Sequence, residues 1–194
     1  MIPQTWWYLC RASGMVAWVV SGLACMWGIL LITRMLKPAD RPAWLLDLHR
    51  WLGMLSIFVV AVHMLTWQAS GDADFPVHWK DLFVPFAHEW QAWAISWGIF
   101  AFYLLLAVQI SSYLMKKIPK RLWHAIHLTS YLMFAMATVH AVMVGTDRSN
   151  LVFVLIASGG TAILLFATTA RILQARHKRL TRAEKDKLLA DATS

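Results

Sequence analysis

Histidines offer the clearest chance of chemistry in this sequence, because three of them stand within long apolar stretches and a fourth, His49, is expected to open the second such helix. His49 and His63 are separated by fourteen residues, and His127 and His140 by thirteen. A side chain that can ionise is costly inside a bilayer and by default marks a functional site. Neutral imidazole is also a frequent ligand of transition metals. These two pairs are therefore the first candidates for a metal or cofactor site.

Helix geometry limits how these side chains can meet. On one helix, His49 and His63 lie within about 40° of the same face and about 21 Å apart along the axis. His127 and His140 lie about 20 Å apart, but their directions differ by about 140° on an ideal helix. Supercoiling, a local bulge or different approach angles must compensate for that difference in direction if both side chains are to face the second helix. His124, near the same end as His127, stays an open alternative at this point.

The elements that carry these histidines follow from composition. Hydrophobic residues make up 59% of the chain and charged residues only 14%, which is outside the range of soluble domains. A hydrocarbon core of about 30 Å needs about 20 apolar residues of helix. Five uncharged runs are long enough: Arg11 to Arg34, Arg50 to Asp72, Glu89 to Lys116, Arg121 to Asp147, and Arg148 to Arg171. The sequence predicts an all-α integral membrane bundle of five transmembrane helices.

The positions of the basic residues predict the orientation. Fifteen of the eighteen lie between the first and second runs, between the third and fourth, or after the fifth. Short loops rich in Lys and Arg stay on the cytoplasmic side. The N-terminus is therefore expected outside and the C-terminus in the cytoplasm. The net charge of +8 is explained by this topology and by attraction to anionic lipid rather than by nucleic acid.

Both histidine-bearing helices then run from inside to outside. His49 can face His127 at one depth, and His63 can face His140 at another. Two neutral imidazoles on opposite sides of an iron form the ligand set of a low-spin haem that transfers electrons. This arrangement predicts two haem b groups stacked across the membrane, whereas the alternative is that each histidine caps a helix or bonds a carbonyl. Cys10 and Cys25 form no Cys-x-x-Cys motif, so neither zinc nor attached c-type haem is expected.

Three further residues are candidates for cofactor binding. Gly53 follows His49 by four residues and could let a porphyrin approach the backbone, although helix packing explains it equally well. Arg50 and Arg121 could pair with haem propionates, because guanidinium binds carboxylate in a bidentate manner. Snorkelling to lipid phosphate is their alternative role. Arg148 or Arg11 could serve a second haem.

The segment from 72 to 93 is the largest predicted external loop. Its mixture of aromatic, proline and charged residues predicts a short interfacial element that covers the outer haem. His78 and His88 could bind an acceptor or a metal ion, but solvated interfacial histidines explain them better. Methionines such as Met133 are expected to pack between helices. Tryptophans at the ends of the runs are assigned anchoring roles: Trp6, Trp7, Trp67, Trp79, Trp90, Trp93 and Trp123.

Several motifs together resemble the ferric reductase-like transmembrane domain shared by NADPH oxidases, ferric reductases and bacterial relatives. The similarity lies in Arg11 to Gly14, placed before the first helix, in Leu48 to Arg50 with Gly53, Val62-His63, Arg121 to Trp123, His127-Leu128 and Val139-His140. It covers roughly residues 8 to 172. The resemblance implies that His49, His63, His127 and His140 hold the haem irons and that His124 does not. One N-terminal helix and the flavin and nicotinamide domain of the family have no counterpart.

The sequence therefore predicts a di-haem b-type cytochrome domain over 1–172 and a basic cytoplasmic tail over 173–194. Electrons would pass from a cytoplasmic reductase or membrane quinol, with flavin or quinone supplied by a partner, to an outer acceptor. That acceptor could be ferric iron, oxygen or a periplasmic redox protein. Alternatives are an electron-donor subunit resembling that of a periplasmic methionine sulfoxide reductase, or an accessory haem-binding subunit of a larger redox complex. A bacterial inner membrane is the expected location, and a histidine-lined metal transporter is disfavoured because the runs lack carboxylates.

Overall fold

Six helices form the described part of the chain, and five of them are long and apolar enough to cross a membrane. The computed structural model describes residues 2–33, 42–71, 75–145 and 150–192. The helices are α1 Ile2–Thr33, α2 Pro42–Ser70, α3 Trp79–Phe83, α4 Ala92–Tyr113, α5 Lys120–Val144 and α6 Leu151–Ala192. No strand occurs in these ranges. The predicted all-helical membrane fold with five spans is confirmed.

Helical structure follows from the absence of water in the hydrocarbon region. A helix satisfies its own backbone N–H and C=O groups, so an uncharged apolar run in the membrane is expected to be helical. Polar side chains inside the spans bond back to their own helix: Ser56 donates to the Leu52 carbonyl at 2.9 Å, and Thr138 to the Phe134 carbonyl at 2.9 Å. Much of the outward surface is apolar, as with Phe58 and Phe166, and this suits contact with lipid.

Two antiparallel helix pairs and a fifth span, α6, make up the bundle. α1 packs along α2, and α4 packs along α5, with α1 also in contact with α5 and α6. Buried side chains from α1, α5 and α6 form one core cluster: Cys25, Ile29, Phe134 and Leu164. A second cluster joins α4 to α5 through Ala101, Leu105 and Met133. Between the two pairs, α2 and α5 run parallel, as the histidine spacing predicts.

Two predicted helix boundaries are wrong. Arg11 to Gly14 lie within α1, which begins about two turns earlier, rather than before the first helix. His49 does not open α2 but stands seven residues after Pro42, where that helix begins. Apolar and aromatic residues at 6–9 and 43–46 extend the helices past the charged residues used to delimit the runs. A single charge near a helix end is tolerated, because a long side chain can reach the interface.

The predicted interfacial element is α3, a five-residue helix in the segment between α2 and α4. Asp81 accepts a bond from the His78 N–H at 2.8 Å, and the Gln68 amide of α2 donates to the Val77 carbonyl. The Phe86 N–H donates to Ser96 Oγ of α4 at 2.8 Å. The segment is thus fastened to both neighbouring spans and has a defined position over one end of the bundle.

Candidate functional site

The four predicted histidines meet as two pairs inside the bundle. The ring centroids of His49 and His127 are 5.9 Å apart, and those of His63 and His140 are 6.2 Å apart. Each pair joins α2 to α5, and the pairs lie about 20 Å apart along the helices. Among the described residues, no group of three or more His, Cys, Asp or Glu side chains is placed to hold a metal ion. The sites offered by the bundle are therefore facing pairs of imidazoles.

The thirteen-residue spacing on α5 does not prevent this pairing. The helix is α-helical from Lys120 to Val144, so no local bulge brings His127 and His140 into line. Side-chain direction and the course of the helix must take up the difference instead. His124 lies on another face, where it is exposed and its Nδ1 donates to the Lys120 carbonyl of its own helix at 2.7 Å. His127 rather than His124 faces His49.

Three of the four rings are oriented by a backbone carbonyl of the neighbouring helix. Nδ1 lies 3.0 Å from Ala24 O for His49, 2.9 Å from Cys10 O for His63 and 2.8 Å from Ala94 O for His140. A carbonyl only accepts, so Nδ1 carries the proton in each ring. In a neutral imidazole the lone pair is then on Nε2, the atom left to bind a metal.

His127 is oriented by a hydroxyl group instead. Its Nδ1 lies 3.2 Å from Ser112 Oγ, while that hydroxyl donates to the Val108 carbonyl at 2.7 Å. Because the hydroxyl proton is used on Val108, the oxygen accepts from His127 Nδ1. The indole of Trp123 stacks on the His127 ring, with centroids 5.0 Å apart. All four rings therefore have the same tautomer and a fixed direction.

A cavity of about 380 Å³ adjoins the His63–His140 pair, and both rings line it. Its wall is almost wholly apolar and comes from α1, α2, α4, α5 and α6, with Leu82 and Trp90 of the α3 segment also present. Of the described residues on this wall, Arg11 alone carries a charge. Because α1 begins before Arg11, that residue lies within the helix and lines the same cavity as His63 and His140.

The other predicted cofactor residues that the structure describes do not line this cavity. Arg50 is exposed and donates to Asp47 at 3.5 Å. Arg121 is exposed in the first turn of α5. A Cβ on Gly53 would lie 2.9 Å from the Gln109 amide nitrogen, so this glycine gives room to a side chain of α4. Arg148 falls outside the described residues.

Two expectations about aromatic and histidine residues need correction. His88 is not solvated: it is 8% exposed and packs between Trp67 and Phe75, with centroids 5.6 and 5.0 Å away. His78 is exposed, as expected. Trp7, Trp67 and Trp90 line the cavity and Trp123 covers a histidine, so anchoring is not their whole role. Sequence reasoning placed them at helix ends and had no means to see the direction of their rings.

Residues that sequence reasoning missed are those on the partner helices, namely Gly14, Gly28, Gly98 and Ser112. A Cβ on the three glycines would lie 3.0, 3.3 and 2.8 Å from the rings of His63, His49 and His140. A signal was available, because Gly14 and Gly28 are fourteen residues apart, like His49 and His63. The same spacing separates Gly98 from Ser112.

Comparison with protein families gives a match to the ferric reductase-like transmembrane component over residues 13–138, about two thirds of the chain. Comparisons with curated proteins and with solved structures gave no match. The matched region runs from α1 into α5 and includes both histidines of α2 and His127. The family is generally associated with haem b and with membrane redox chemistry. The chain therefore belongs to the ferric reductase-like transmembrane family, as its motifs predict.

Proposed function

We propose that this protein is a di-haem b-type cytochrome that carries single electrons across the membrane. The observation that carries the proposal is the presence of two facing histidine pairs at two depths of one bundle. In this assignment His49 and His127 hold one haem iron, and His63 and His140 hold the other. Bound haem would supply an iron that changes between the ferric and ferrous states and so takes up one electron at a time.

The separation of the rings fits an iron between them. A metal–imidazole bond is about 2 Å, and the nitrogen lies about 1 Å from the ring centroid, so one iron holds two centroids about 6 Å apart. The observed separations are 5.9 and 6.2 Å. A direct hydrogen bond between the two rings does not explain their approach. The proton of each ring is on Nδ1, and each Nδ1 already donates to the neighbouring helix.

The surroundings also fit a large apolar group with acidic edges. At the His63–His140 pair, the apolar cavity provides space, and Arg11 on its wall is suited to a propionate. Near the His49–His127 end, two buried indole nitrogens, Nε1 of Trp27 and Nε1 of Trp123, have no hydrogen-bond partner within the described part of the chain. Buried donors are nearly always paired, so these two favour a bound group that presents acceptors. Arg50 and Arg121 remain proposed propionate partners, and both are exposed in the structure.

The distribution of charge supports a direction of transfer. Under the positive-inside rule, the His49–His127 pair would lie toward the cytoplasm and the His63–His140 pair toward the outer face. Electrons would enter from a cytoplasmic flavoprotein or a membrane quinol and leave near the α3 segment. The acceptor is ferric iron, oxygen or a periplasmic redox protein, and a bacterial inner membrane is the proposed location. Within this path, the task of the protein is to fix the imidazoles and exclude water.

The first experiment is a spectrum of purified protein, reduced with dithionite minus oxidised. We expect the α-band of a b-type cytochrome and, by pyridine haemochrome assay, two haems per chain. A spectrum without that band would overturn the haem assignment, and a single haem would overturn the two-site assignment.

The second experiment tests transfer across the bilayer and separates a conduit from an accessory subunit. Protein is reconstituted in liposomes with a reductant inside and a membrane-impermeant ferric chelate outside. Reduction of the chelate only in vesicles that contain protein supports transmembrane transfer. Full haem content without transfer would instead favour an accessory haem-binding subunit, whereas transfer only to an added periplasmic protein would favour an electron-donor subunit.

A further inference from the structure

The two helix pairs repeat one arrangement four times, with a single variation. At three places a glycine faces a histidine ring, and the carbonyl four residues before that glycine accepts from histidine Nδ1. The sets are Cys10, Gly14 and His63; Ala24, Gly28 and His49; and Ala94, Gly98 and His140. At the fourth place, Val108 and Ser112 occupy the equivalent positions opposite His127.

Glycine is required for a physical reason. In a helix, the carbonyl of residue i−4 accepts from the N–H of residue i, and its second lone pair is screened by the Cβ of residue i. Without that Cβ, an imidazole from the next helix can reach the carbonyl. A methyl group on Gly98 would lie 2.8 Å from His140 Nδ1, and one on Gly14 would lie 3.0 Å from the same atom of His63. Substitution at these positions would push the ring away from its acceptor.

Ser112 makes the fourth place chemically different. Its Cβ screens the Val108 carbonyl, and its hydroxyl relays the contact by donating to Val108 and accepting from His127. A hydroxyl is a weaker acceptor than a backbone amide carbonyl, and the 3.2 Å contact is longer than the 2.8 to 3.0 Å contacts of the other three rings. A hydrogen bond at the second nitrogen raises the basicity of the ligating one.

We propose that Ser112 is a positioning residue that makes His127 a weaker donor than the other three histidines, and so sets the two sites apart in reduction potential. Gly14, Gly28 and Gly98 give their histidines the stronger carbonyl partner. This inference rests on the proposed function, because it concerns the ligand strength of His127 toward iron. A weaker donor favours the ferrous state, so the hydroxyl raises the potential of the His49–His127 site above the value that a carbonyl partner would give.

The test compares Ser112→Ala and Ser112→Gly in purified full-length protein, with Ser111→Ala as the matched control. The Ser111 hydroxyl donates to the same Val108 carbonyl at 3.0 Å, and this is the only side-chain hydrogen bond of Ser111 among the described residues. Alanine at 112 keeps the Cβ over the carbonyl and removes the hydroxyl, which leaves His127 Nδ1 without this acceptor. Glycine uncovers the carbonyl and reproduces the other three places. The readouts are a redox titration of both haems and the EPR spectrum of the ferric protein.

We expect Ser112→Ala to raise the potential of one haem and Ser112→Gly to lower it below the wild-type value. Each tenfold change in the preference for ferric over ferrous iron corresponds to about 59 mV for one electron. The same haem should change its EPR signal, and it should be the haem that survives in a His140→Ala background. Ser111→Ala should change neither haem.

Equal potentials in Ser112→Ala and Ser111→Ala would overturn this assignment, and so would shifts of the same sign in Ser112→Gly and Ser112→Ala. If the wild-type protein holds two haems and the variants give either of these results, the Ser112 assignment fails and the proposed function is unaffected. A wild-type protein without haem would overturn the proposed function and this assignment with it.

Discussion

Eight histidines share one chemistry, and their surroundings separate the four candidate ligands from the others. His63 and His140 face each other inside the bundle, whereas His124 is exposed and bonded to its own helix. His88 is buried as well, but it packs among aromatic rings and its Nδ1 accepts from the Trp90 N–H at 3.1 Å. Burial alone therefore does not distinguish the candidate ligands; a facing imidazole does.

Removal of one histidine from a pair should remove one haem. We expect His140→Ala to retain one haem per chain instead of two, because His49 and His127 lie about 20 Å away and keep their own partners. Haem content by pyridine haemochrome assay is the measurement. His124→Ala is the control, and it should retain both haems. Loss of both haems in His140→Ala would contradict the assignment of two separate sites.

At the scale of the helices, the fit of α6 against α1 depends on one glycine. Trp18 of α1 donates its Nε1–H to Thr138 Oγ1 at 2.9 Å and packs on Phe134. The indole is held in place by these contacts. A Cβ on Gly160 of α6 would lie 3.0 Å from the Cη2 atom of that ring, whereas a Cβ on the adjacent Gly159 would meet nothing within 4 Å. The neighbouring glycines offer a matched pair of substitutions.

Gly160→Ala should destabilise the bundle, because the indole cannot easily shift. Overpacking of this kind costs about 1–3 kcal/mol, which exceeds the gain of about 0.5–1 kcal/mol from replacing glycine in a helix. Gly159→Ala creates no such overpacking, so only the favourable effect of replacing a helical glycine applies, and this variant should be neutral or slightly stabilising. Thermal unfolding in detergent, followed by tryptophan fluorescence, compares the two. Equal midpoints would show that α6 does not depend on this contact.

At the scale of the whole molecule, five helices are long and apolar enough to cross the membrane, and an odd number of crossings predicts termini on opposite sides. The segment between α4 and α5 and the first turn of α5 carry four exposed basic residues, Lys116, Lys117, Lys120 and Arg121. α6 continues about 30 Å past the membrane span that ends at Ala170, into the basic part of the chain. Both features lie at the end of the bundle opposite the α3 segment.

We therefore predict a cytoplasmic C-terminus. A green fluorescent protein fused after Ser194 should fluoresce in a bacterial host, and alkaline phosphatase fused at the same place should be inactive, because it matures only outside the cytoplasm. Fusions placed between residues 72 and 78 are the control and should give the reverse pattern. Active phosphatase at the C-terminus would reverse the proposed direction of electron transfer.

The sequence determined the number of spans, because a charge-free run of sufficient length and the need to satisfy the backbone in lipid are local properties. It also determined the distance from His49 to His63 and from His127 to His140 along their helices, since helical rise fixes separation along an axis. The family followed from the same motifs, and the match over residues 13–138 confirms it.

The tertiary structure alone decided which side chains face each other. The direction of His127 toward His49, the place of Arg11 on a cavity wall and the burial of His88 depend on packing between helices distant in the sequence. The contacts that Gly14, Gly28, Gly98 and Ser112 make with the histidines also depend on this packing. The fourteen-residue spacing of these residues is visible in the sequence, but only the register of α1 against α2 and of α4 against α5 gives that spacing a meaning.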